Sequence, residues 1–301
     1  SAGESPLHVA AWFGNEESAR ILLLWNASPV RKDSQGRTPA DCARLNDHPA
    51  IQRMIEDEIL AARVYLAIKQ EDIQGLNVLL ENHPQTRRGM GVHQDSPLHY
   101  AVYLDRPYVV EHLISLGLPM DIQCIRGTTA LQEAVLSENV PIVKLLLDGG
   151  ADPDASGSAD GTALHLAAQP GREEILRLLL AAGADPGAAV PAAGSPVHQA
   201  VCAGAMEAAG LLLEAGAPVN ATTGMQPAPL MLAAKMGHMP FMRLLLDAGA
   251  DWSTADKSGF NALHYAVRGG NIAGVNLLIS RGADINSRSD EGITPLFECV
   301  S

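Results

Sequence analysis

The sequence predicts an all-α fold made of repeated helix pairs, and three observations support this prediction. Six glycines recur every 33 residues, and a second ladder, mostly of Ser and Thr, recurs at the same interval. Apolar residues form 47% of the 301 residues but aromatic residues only 4%, which favours a core of Leu, Ala, Ile and Val between closely packed helices. The glycine ladder is Gly117, Gly150, Gly183, Gly216, Gly249 and Gly282, and the second ladder is Ser96, Thr129, Thr162, Ser195, Ala228, Asn261 and Thr294.

The second ladder marks the beginning of a short helix in each repeat. A Ser or Thr side chain at this position accepts a hydrogen bond from a free backbone N–H of the first helical turn. After Ser96, Ser195 and Thr294 a proline follows, and its missing N–H has no cost at the first helical position. A second helix of the type "IVKLLLDGG" comes next, and the ladder glycine ends it in the left-handed conformation. Segments such as "ADINSRSDEG" then predict a hairpin turn.

This order of turn, helix, tight loop and helix, with openings of the T-P-L-H-x-A type, resembles the ankyrin repeat. The resemblance covers essentially the whole chain, for example in "SPLHVAAWFGNEESARILLLWNAS" at 5–28 and "NALHYAVRGGNIAGVNLLISRGAD" at 261–284. It implies a solenoid of about nine helix pairs plus a partial tenth, with short hairpin loops, in which stacking buries the apolar faces. The pairs begin near Ser5, Thr38, Arg63, Ser96, Thr129, Thr162, Ser195, Ala228 and Asn261, and the partial tenth begins at Thr294.

The period is broken between the second and third repeats. Thr38 and Ser96 are 58 residues apart instead of 66, so a turn and a hairpin are missing. Because no Gly or Pro lies between Pro49 and Gly75, the segment reads as helix throughout. Either the helix turns sharply near 56–58 and one continuous stack results, or one long helix divides the array. In the second case the blocks are 1–58, with repeats 1 and 2, and 59–301, with a degenerate third and a partial tenth repeat.

The loop after the third repeat is basic in an otherwise acidic chain. It reads "HPQTRRGMGVHQD", is one residue longer than its equivalents, and carries Arg87, Arg88 and His93. The sequence leaves two interpretations open, a contact tip for an acidic partner or an ordinary solvated loop.

Composition excludes several classes of partner. The formal net charge of −13 argues against nucleic acid, which needs a basic surface, and against anionic membranes. The longest apolar runs, such as "ILLLW" at 21–25, are too short for membrane insertion. Four widely separated cysteines fit neither a zinc motif nor a dense disulfide framework. We therefore expect a cytoplasmic location, with the nucleus as an alternative.

The sequence predicts no catalysis. It has no phosphate loop, dinucleotide motif, zinc-protease motif or serine-nucleophile motif, so no cofactor, metal or small-molecule substrate is expected. Histidines recur once per repeat, at a spacing of about 10 Å for packed helices, which is too far apart for neighbours to share a metal ion. The ankyrin resemblance implies instead that they hydrogen-bond backbone and cap residue at the turn. They are His8, His99, His165, His198 and His264, and Asp41, Gln132, Met231 and Phe297 take their place elsewhere.

The resemblance also implies where a partner would bind. In ankyrin repeats the hairpin tips and the exposed side of the first helix line a concave face that commonly binds proteins. We therefore expect a non-catalytic scaffold that binds a protein or peptide there. The alternative is a targeting or regulatory region of a larger enzyme, channel, ubiquitin-ligase adaptor or secreted effector. The predicted contact residues are Trp12, Phe13, Tyr103, Leu104, Arg126, Leu136, Lys235, Met236, Lys257, Phe260 and Arg268.

Two asparagines are candidate modification sites through the same resemblance. "LISRGADIN", ending at Asn286, and "LLEAGAPVN", ending at Asn220, resemble hairpin sequences whose asparagine is hydroxylated in some ankyrin proteins. Asn220 is the weaker match, because Pro218 replaces the acidic residue. The other interpretation is that each asparagine simply closes its hairpin.

Overall fold

The structure is a computed structural model that describes residues 3–156, 161–223 and 225–299. Within these ranges it contains seventeen α-helices, two short 3-10 helices and isolated β-bridges but no strand, so the predicted all-α repeat fold is confirmed. The chain forms two compact units, 1–151 and 152–301.

The first unit contains nine α-helices. Consecutive helices pair through tight loops, and the first helices of neighbouring repeats, such as α6 and α8, pack on each other. A 3-10 helix, Pro84–Arg87, follows α5. The α-helices are α1 Pro6–Phe13, α2 Glu16–Leu24, α3 Pro39–Leu45, α4 Pro49–Gln70, α5 Ile73–Asn82, α6 Pro97–Tyr103, α7 Pro107–Ser115, α8 Ala130–Leu136 and α9 Val140–Asp148.

The second unit repeats the pattern with four helix pairs. A short 3-10 helix, Phe297–Cys299, follows Thr294 where the partial tenth repeat was predicted. The α-helices are α10 Ala163–Ala167, α11 Glu173–Ala181, α12 Pro196–Ala203, α13 Met206–Glu214, α14 Pro229–Met236, α15 Met239–Asp247, α16 Ala262–Arg268 and α17 Ile272–Ser280.

The glycine ladder and most of the second ladder have the predicted structural roles. Ala228 precedes α14 without a side-chain cap, and Thr294 is followed by a 3-10 helix instead of an α-helix. Ser96 precedes α6 in extended backbone and its hydroxyl accepts the N–H of His99. Thr129 does the same for α8, accepting the N–H of Gln132. All six ladder glycines have φ between +68° and +97°, the left-handed region that side chains with a Cβ avoid. Each therefore ends its second helix and turns the chain toward the hairpin.

The recurrent histidines join neighbouring repeats. His99 places Nδ1 2.8 Å from the Ser96 hydroxyl and Nε2 3.0 Å from the carbonyl oxygen of Thr128, 29 residues later. That carbonyl can only accept, so Nε2 carries the proton and Nδ1 accepts from the cap. The expected bond to backbone and cap is confirmed, and its backbone partner belongs to the following repeat. The other Nε2 contacts are His8 with Arg37, His165 with Gly194, His198 with Pro227 and His264 with Ile293, at 3.0 to 3.2 Å.

Two of the four residues that stand in place of the histidine make the hydrogen bond to the cap residue. The carboxylate of Asp41 accepts the backbone N–H of Thr38 at 2.9 Å, and the amide oxygen of Gln132 accepts that of Thr129 at 2.9 Å. The N-terminal turn of α3 and of α8 is thus satisfied without an imidazole.

Acid is expected to destabilise the protein through these buried histidines. Burial lowers the pKa of His99 and His165, and lowers that of His198 to about 4. Since an unfolded histidine has a pKa near 6.5, the unfolded chain binds more protons between about pH 6.5 and 4, and the free energy of unfolding falls as pH falls through this window. For His198 the expected loss is about 1.4 kcal/mol per pH unit in this window, and His99 and His165 add to it in the same direction.

Urea unfolding at a series of pH values measures this loss. The matched variant is His198→Gln, because glutamine already occupies the same position in α8. It should show a shallower pH dependence than the parent. An unchanged slope would show that His198 does not titrate on unfolding.

The break in the period is a single long helix. Helix α4 runs from Pro49 to Gln70 without interruption and ends at Glu71, whose φ is +56°. Its first half buries Ile51 and Ile55 in a cluster with Leu7 of α1, and α4 also contacts α5 and α6. Of the two alternatives, the structure therefore shows one long helix and no sharp turn near 56–58. The division into blocks 1–58 and 59–301 remains a prediction.

Candidate functional site

One surface position near the end of the first helices is the most informative in the first unit. It lies seven residues after the cap and carries a large apolar side chain in α1, α3, α6 and α8. Each of these side chains is 39% to 63% exposed. Exposed apolar surface of this kind on a folded protein marks a contact site. The first-unit row consists of Trp12, Leu45, Tyr103 and Leu136.

Leu45 was not among the predicted contact residues, although it is the most exposed member of the row at 63%. Counting seven residues from Thr38 would have identified it, because the same count gives Trp12, Tyr103 and Leu136.

Trp12 is held beside an arginine. The guanidinium of Arg37 lies 5.1 Å from the Trp12 ring centre and is 2.7 Å from the buried carboxylate of Asp33. The hydrogen bond that Arg37 donates to the Asp33 carboxylate raises the pKa of Arg37 further, so the cation is permanent. Phe13 is 76% exposed and also lines a separate apolar groove of about 500 Å³ on α1 and α2, with Val9 and Ile21.

A second stack forms between α6 and the hairpin before α8. The Arg126 guanidinium lies 5.5 Å from the Tyr103 ring centre, donates to the Tyr103 hydroxyl, and is 2.8 Å from the carboxylate of buried Glu133. The Thr128 hydroxyl donates to the same carboxylate at 2.6 Å. Burial raises the pKa of Tyr103, so its phenol stays neutral. Leu104, the next residue, is half-buried.

The second unit carries different chemistry at the same register. The seventh position after the cap is polar in three repeats and a cysteine in the fourth. Two exposed methionines lie in the third of these repeats, Met236 after Lys235 at 43% and Met225 on the preceding hairpin at 73%. Lys235 and Lys257 are exposed, and neither has an ion pair within the ranges described for this unit. The second-unit row consists of Gln169, Cys202, Lys235 and Arg268.

Arg268 forms the third stack. Its guanidinium lies 4.6 Å from the Phe260 ring centre and makes two 2.8 Å hydrogen bonds to the carboxylate of Glu298. These hydrogen bonds lower the pKa of Glu298. Phe260 is half-buried, edge-on to the His264 ring at 5.4 Å, so it is less exposed than an apolar contact strip would require.

The two candidate asparagines both lie on exposed hairpins but differ in their contacts. The Asn220 side-chain oxygen accepts the backbone N–H of Asp251 at 2.8 Å and so ties its hairpin to the next one. The backbone N–H of Asn286 donates to Asp284 at 2.9 Å. The tie at Asn220 is the structural role that the sequence left open.

Hydroxylation is therefore expected at Asn286 and not at Asn220. Mass spectrometry of protein from its native cells should find a gain of about 16 Da, one oxygen atom, on the peptide that contains Asn286. The peptide that contains Asn220 is the internal control. Unmodified Asn286 in all samples would contradict the prediction.

Metal and membrane features were searched in the same described ranges. No three His, Cys, Asp or Glu side chains there converge as a metal site would require. No helix in those ranges combines the length and the apolar character needed to cross a bilayer.

Comparison with known proteins identifies the repeat. A model of three consecutive ankyrin repeats matches residues 98–190 and 197–289, and a single-repeat model matches residues 2–34. These matches cover well over half of the chain. The protein belongs to the ankyrin-repeat family. The ankyrin repeat domain of Bcl-3, described as a unique member of the IkappaB family, is a similar solved structure, with a TM-score of 0.61 and 28% identity over 68% of this chain and 93% of its own.

Other ankyrin proteins agree in fold. The human ASB11 ankyrin repeat domain has a TM-score of 0.58 over 73% of this chain and 98% of its own, and at 24% identity this likeness shows the fold alone. The mouse B-cell lymphoma 3 protein homolog is 31% identical over 50% of this chain and 36% of its own length. Mouse Rabankyrin-5 is 35% identical over 25% of this chain and 6% of its own length. The chain thus spans about a third or less of these curated relatives.

Proposed function

We propose that this ankyrin chain is a non-catalytic scaffold that binds a partner protein or peptide through the face made by its first helices and hairpin tips. The observation that carries the proposal is the first-unit row, in which an exposed apolar side chain lies seven residues after the cap in α1, α3, α6 and α8. A surface that contacts only water would not be expected to carry an exposed apolar side chain at the same position of several repeats.

The arginine stacks strengthen the proposal. Aromatic residues and arginine dominate the binding energy of protein interfaces. Arg37, Arg126 and Arg268 are each held against an aromatic ring and paired with a carboxylate. Because these side chains are already ordered in the free protein, their conformational entropy falls less when a partner binds.

The partner class and the compartment follow from composition. With a net charge of −13 we expect neither nucleic acid nor a membrane surface as partner. Cys42, Cys124 and Cys202 are all free thiols, and Cys202 is exposed. An exposed free thiol suits the reducing cytoplasm or nucleus.

A second candidate is that the array targets or regulates a larger protein. The relatives that support it are longer than the region matched, and they include the human ARF GTPase-activating protein GIT1, of which the match covers 7%. In this case the same face would bring a partner to an activity located elsewhere in the protein.

Affinity capture with a surface variant tests the scaffold proposal. Tyr103→Ala, Leu136→Ala and Met236→Ala remove one exposed apolar side chain each from the proposed face and should lower the yield of specific partners severalfold. The matched control is Ile21→Ala, Val78→Ala and Tyr108→Ala, whose side chains are similarly exposed but lie on second helices. Equal recovery with both variants would overturn the proposal.

A further inference from the structure

The basic loop after α5 is a folded part of the first unit. Its 3-10 helix, Pro84–Arg87, is anchored by Thr86, which is fully buried and donates its hydroxyl to the His83 carbonyl oxygen at 2.7 Å. Met90 and Asp95 form an antiparallel bridge across the loop. Arg88, between these two anchors, is exposed. The loop therefore holds its arginine at a defined place on the surface.

This loop and the next hairpin form one surface. The backbone N–H of Ile125 donates to the His93 carbonyl oxygen at 2.9 Å. A polar pocket of about 430 Å³ opens between the two, with Arg88 and Gln94 from the loop and Gln123 from the hairpin in its lining. The same hairpin carries Arg126, which stacks on Tyr103.

The unpaired charges of these two hairpins are positive. Within the residues described, neither Arg87 nor Arg88 has an ion pair, and Arg87 Nε is buried without a hydrogen-bond partner. The acid on the second hairpin that is exposed, Asp121, has a partner of its own. Two arginines on one loop are conspicuous in a chain of net charge −13.

The remaining carboxyl groups around the pocket are poor competitors. Glu133 is buried against Arg126. Asp95 is half-buried and burial raises its pKa. Asp57 is exposed and belongs to the α4 wall of the pocket, not to either hairpin. Glu58 is engaged by the backbone N–H of Val92 at 3.0 Å. An external carboxylate is therefore attracted to the hairpin side of the pocket.

Apolar side chains border the same surface. Ile125, whose backbone contacts His93 of the loop, is 49% exposed, and Tyr103, which stacks on Arg126 of the same hairpin, is 40% exposed. A ligand bound here therefore contacts a basic edge and an apolar edge together. A free anion or a uniformly charged polymer would contact only the basic edge.

We propose that this surface binds an acidic, unphosphorylated protein segment whose carboxylates face Arg87 and Arg88 while an apolar side chain packs on Tyr103 and Ile125. The proposal rests on the scaffold function and specifies the chemistry of the partner for the first unit. Carboxylate recognition by arginine is directional and bidentate, and the apolar edge sets the position of the segment.

A defined peptide tests the proposal with the full chain. The probe is a short fluorescein-labelled peptide with two glutamates on each side of a central pair of leucines, and fluorescence anisotropy measures its Kd. Three matched peptides replace the glutamates by lysines, the leucines by serines, or the glutamates by phosphoserines. We expect the parent peptide to bind more tightly than all three, and to weaken between about 0.1 M and about 1 M salt, as the screening length falls from ~10 Å to ~3 Å.

A charge-reversal pair assigns the binding to the loop. Arg88→Glu should raise the Kd of the glutamate peptide about tenfold and should bind the lysine peptide better than the parent protein does. Arg20→Glu, the same charge change on an exposed residue of α2, should leave both affinities unchanged. Circular dichroism of both variants checks that the helices are intact.

Several outcomes would overturn the inference. They are equal affinities for Arg88→Glu and Arg20→Glu, tighter binding of the phosphoserine peptide, or no binding of the glutamate peptide. If the glutamate peptide does not bind but capture still depends on Tyr103 and Leu136, the inference falls and the scaffold function stands. If capture also does not depend on those residues, both the inference and the scaffold function are overturned.

Discussion

Replacement of Gly269 by alanine is expected to lower the free energy of unfolding by about 3 kcal/mol or more, because overpacking against backbone cannot be relieved by a rotamer change. Gly269 ends α16, where this helix packs on α14. A Cβ there would lie 2.2 Å from the Lys235 carbonyl oxygen and 2.8 Å from its carbon. The backbone conformation of Gly269, φ −79° and ψ −4°, suits alanine, so the penalty arises from the close approach of the two helices.

Gly210 provides the matched control in the same unit. It lies inside α13, and a Cβ at this position would meet nothing within 4 Å. Gly210→Ala should therefore stabilise the protein by about 0.5–1 kcal/mol, the usual gain in a helix interior. Urea unfolding monitored by circular dichroism compares the two variants. A Gly269→Ala variant at least as stable as the parent would show that α14 and α16 do not approach as closely as described.

Proline in the middle of α4 is expected to be the most damaging change in the first unit. Asp57→Pro removes one helical hydrogen bond and clashes with the preceding turn, at a cost of about 3 kcal/mol or more. Asp57 is exposed on the helix, so no packing is lost. Asp57→Ala is the control, and it should be neutral or slightly stabilising because alanine has the best helix propensity.

The same pair of variants separates the two alternatives that the sequence left open. If the chain turned sharply near 56–58, proline would be accommodated at the turn and the two variants would unfold within about 1 kcal/mol of each other. A difference near the full helix-interior penalty is the result expected for a continuous helix from Pro49 to Gln70.

Much of the fold could be predicted because its signals are local. A left-handed glycine such as Gly183 and a cap such as Thr129 show their role within a few residues of sequence. The path of α4 could not be predicted, because a bent and a straight helix bury the same positions, Ile51 and Ile55 before the possible bend and Val64 after it. Only contacts with other helices distinguish them.

The candidate site was predicted only in part, because exposure depends on neighbouring repeats. The register located Trp12, Tyr103 and Leu136 correctly at an exposed position. It could not show that Phe260 lies half-buried beneath Arg268, or that Arg126 is bound to Glu133. Those outcomes depend on side chains that are distant in sequence or belong to the next element.

Helix α4 also limits how this array can change in evolution. In most of the chain a whole repeat begins and ends in a hairpin, so a 33-residue insertion or deletion leaves both neighbours with complete helices. The second and third repeats share one helix, and neither can be duplicated or lost without cutting through it. We expect related chains to gain and lose the other repeats singly, and to keep or lose these two as a pair.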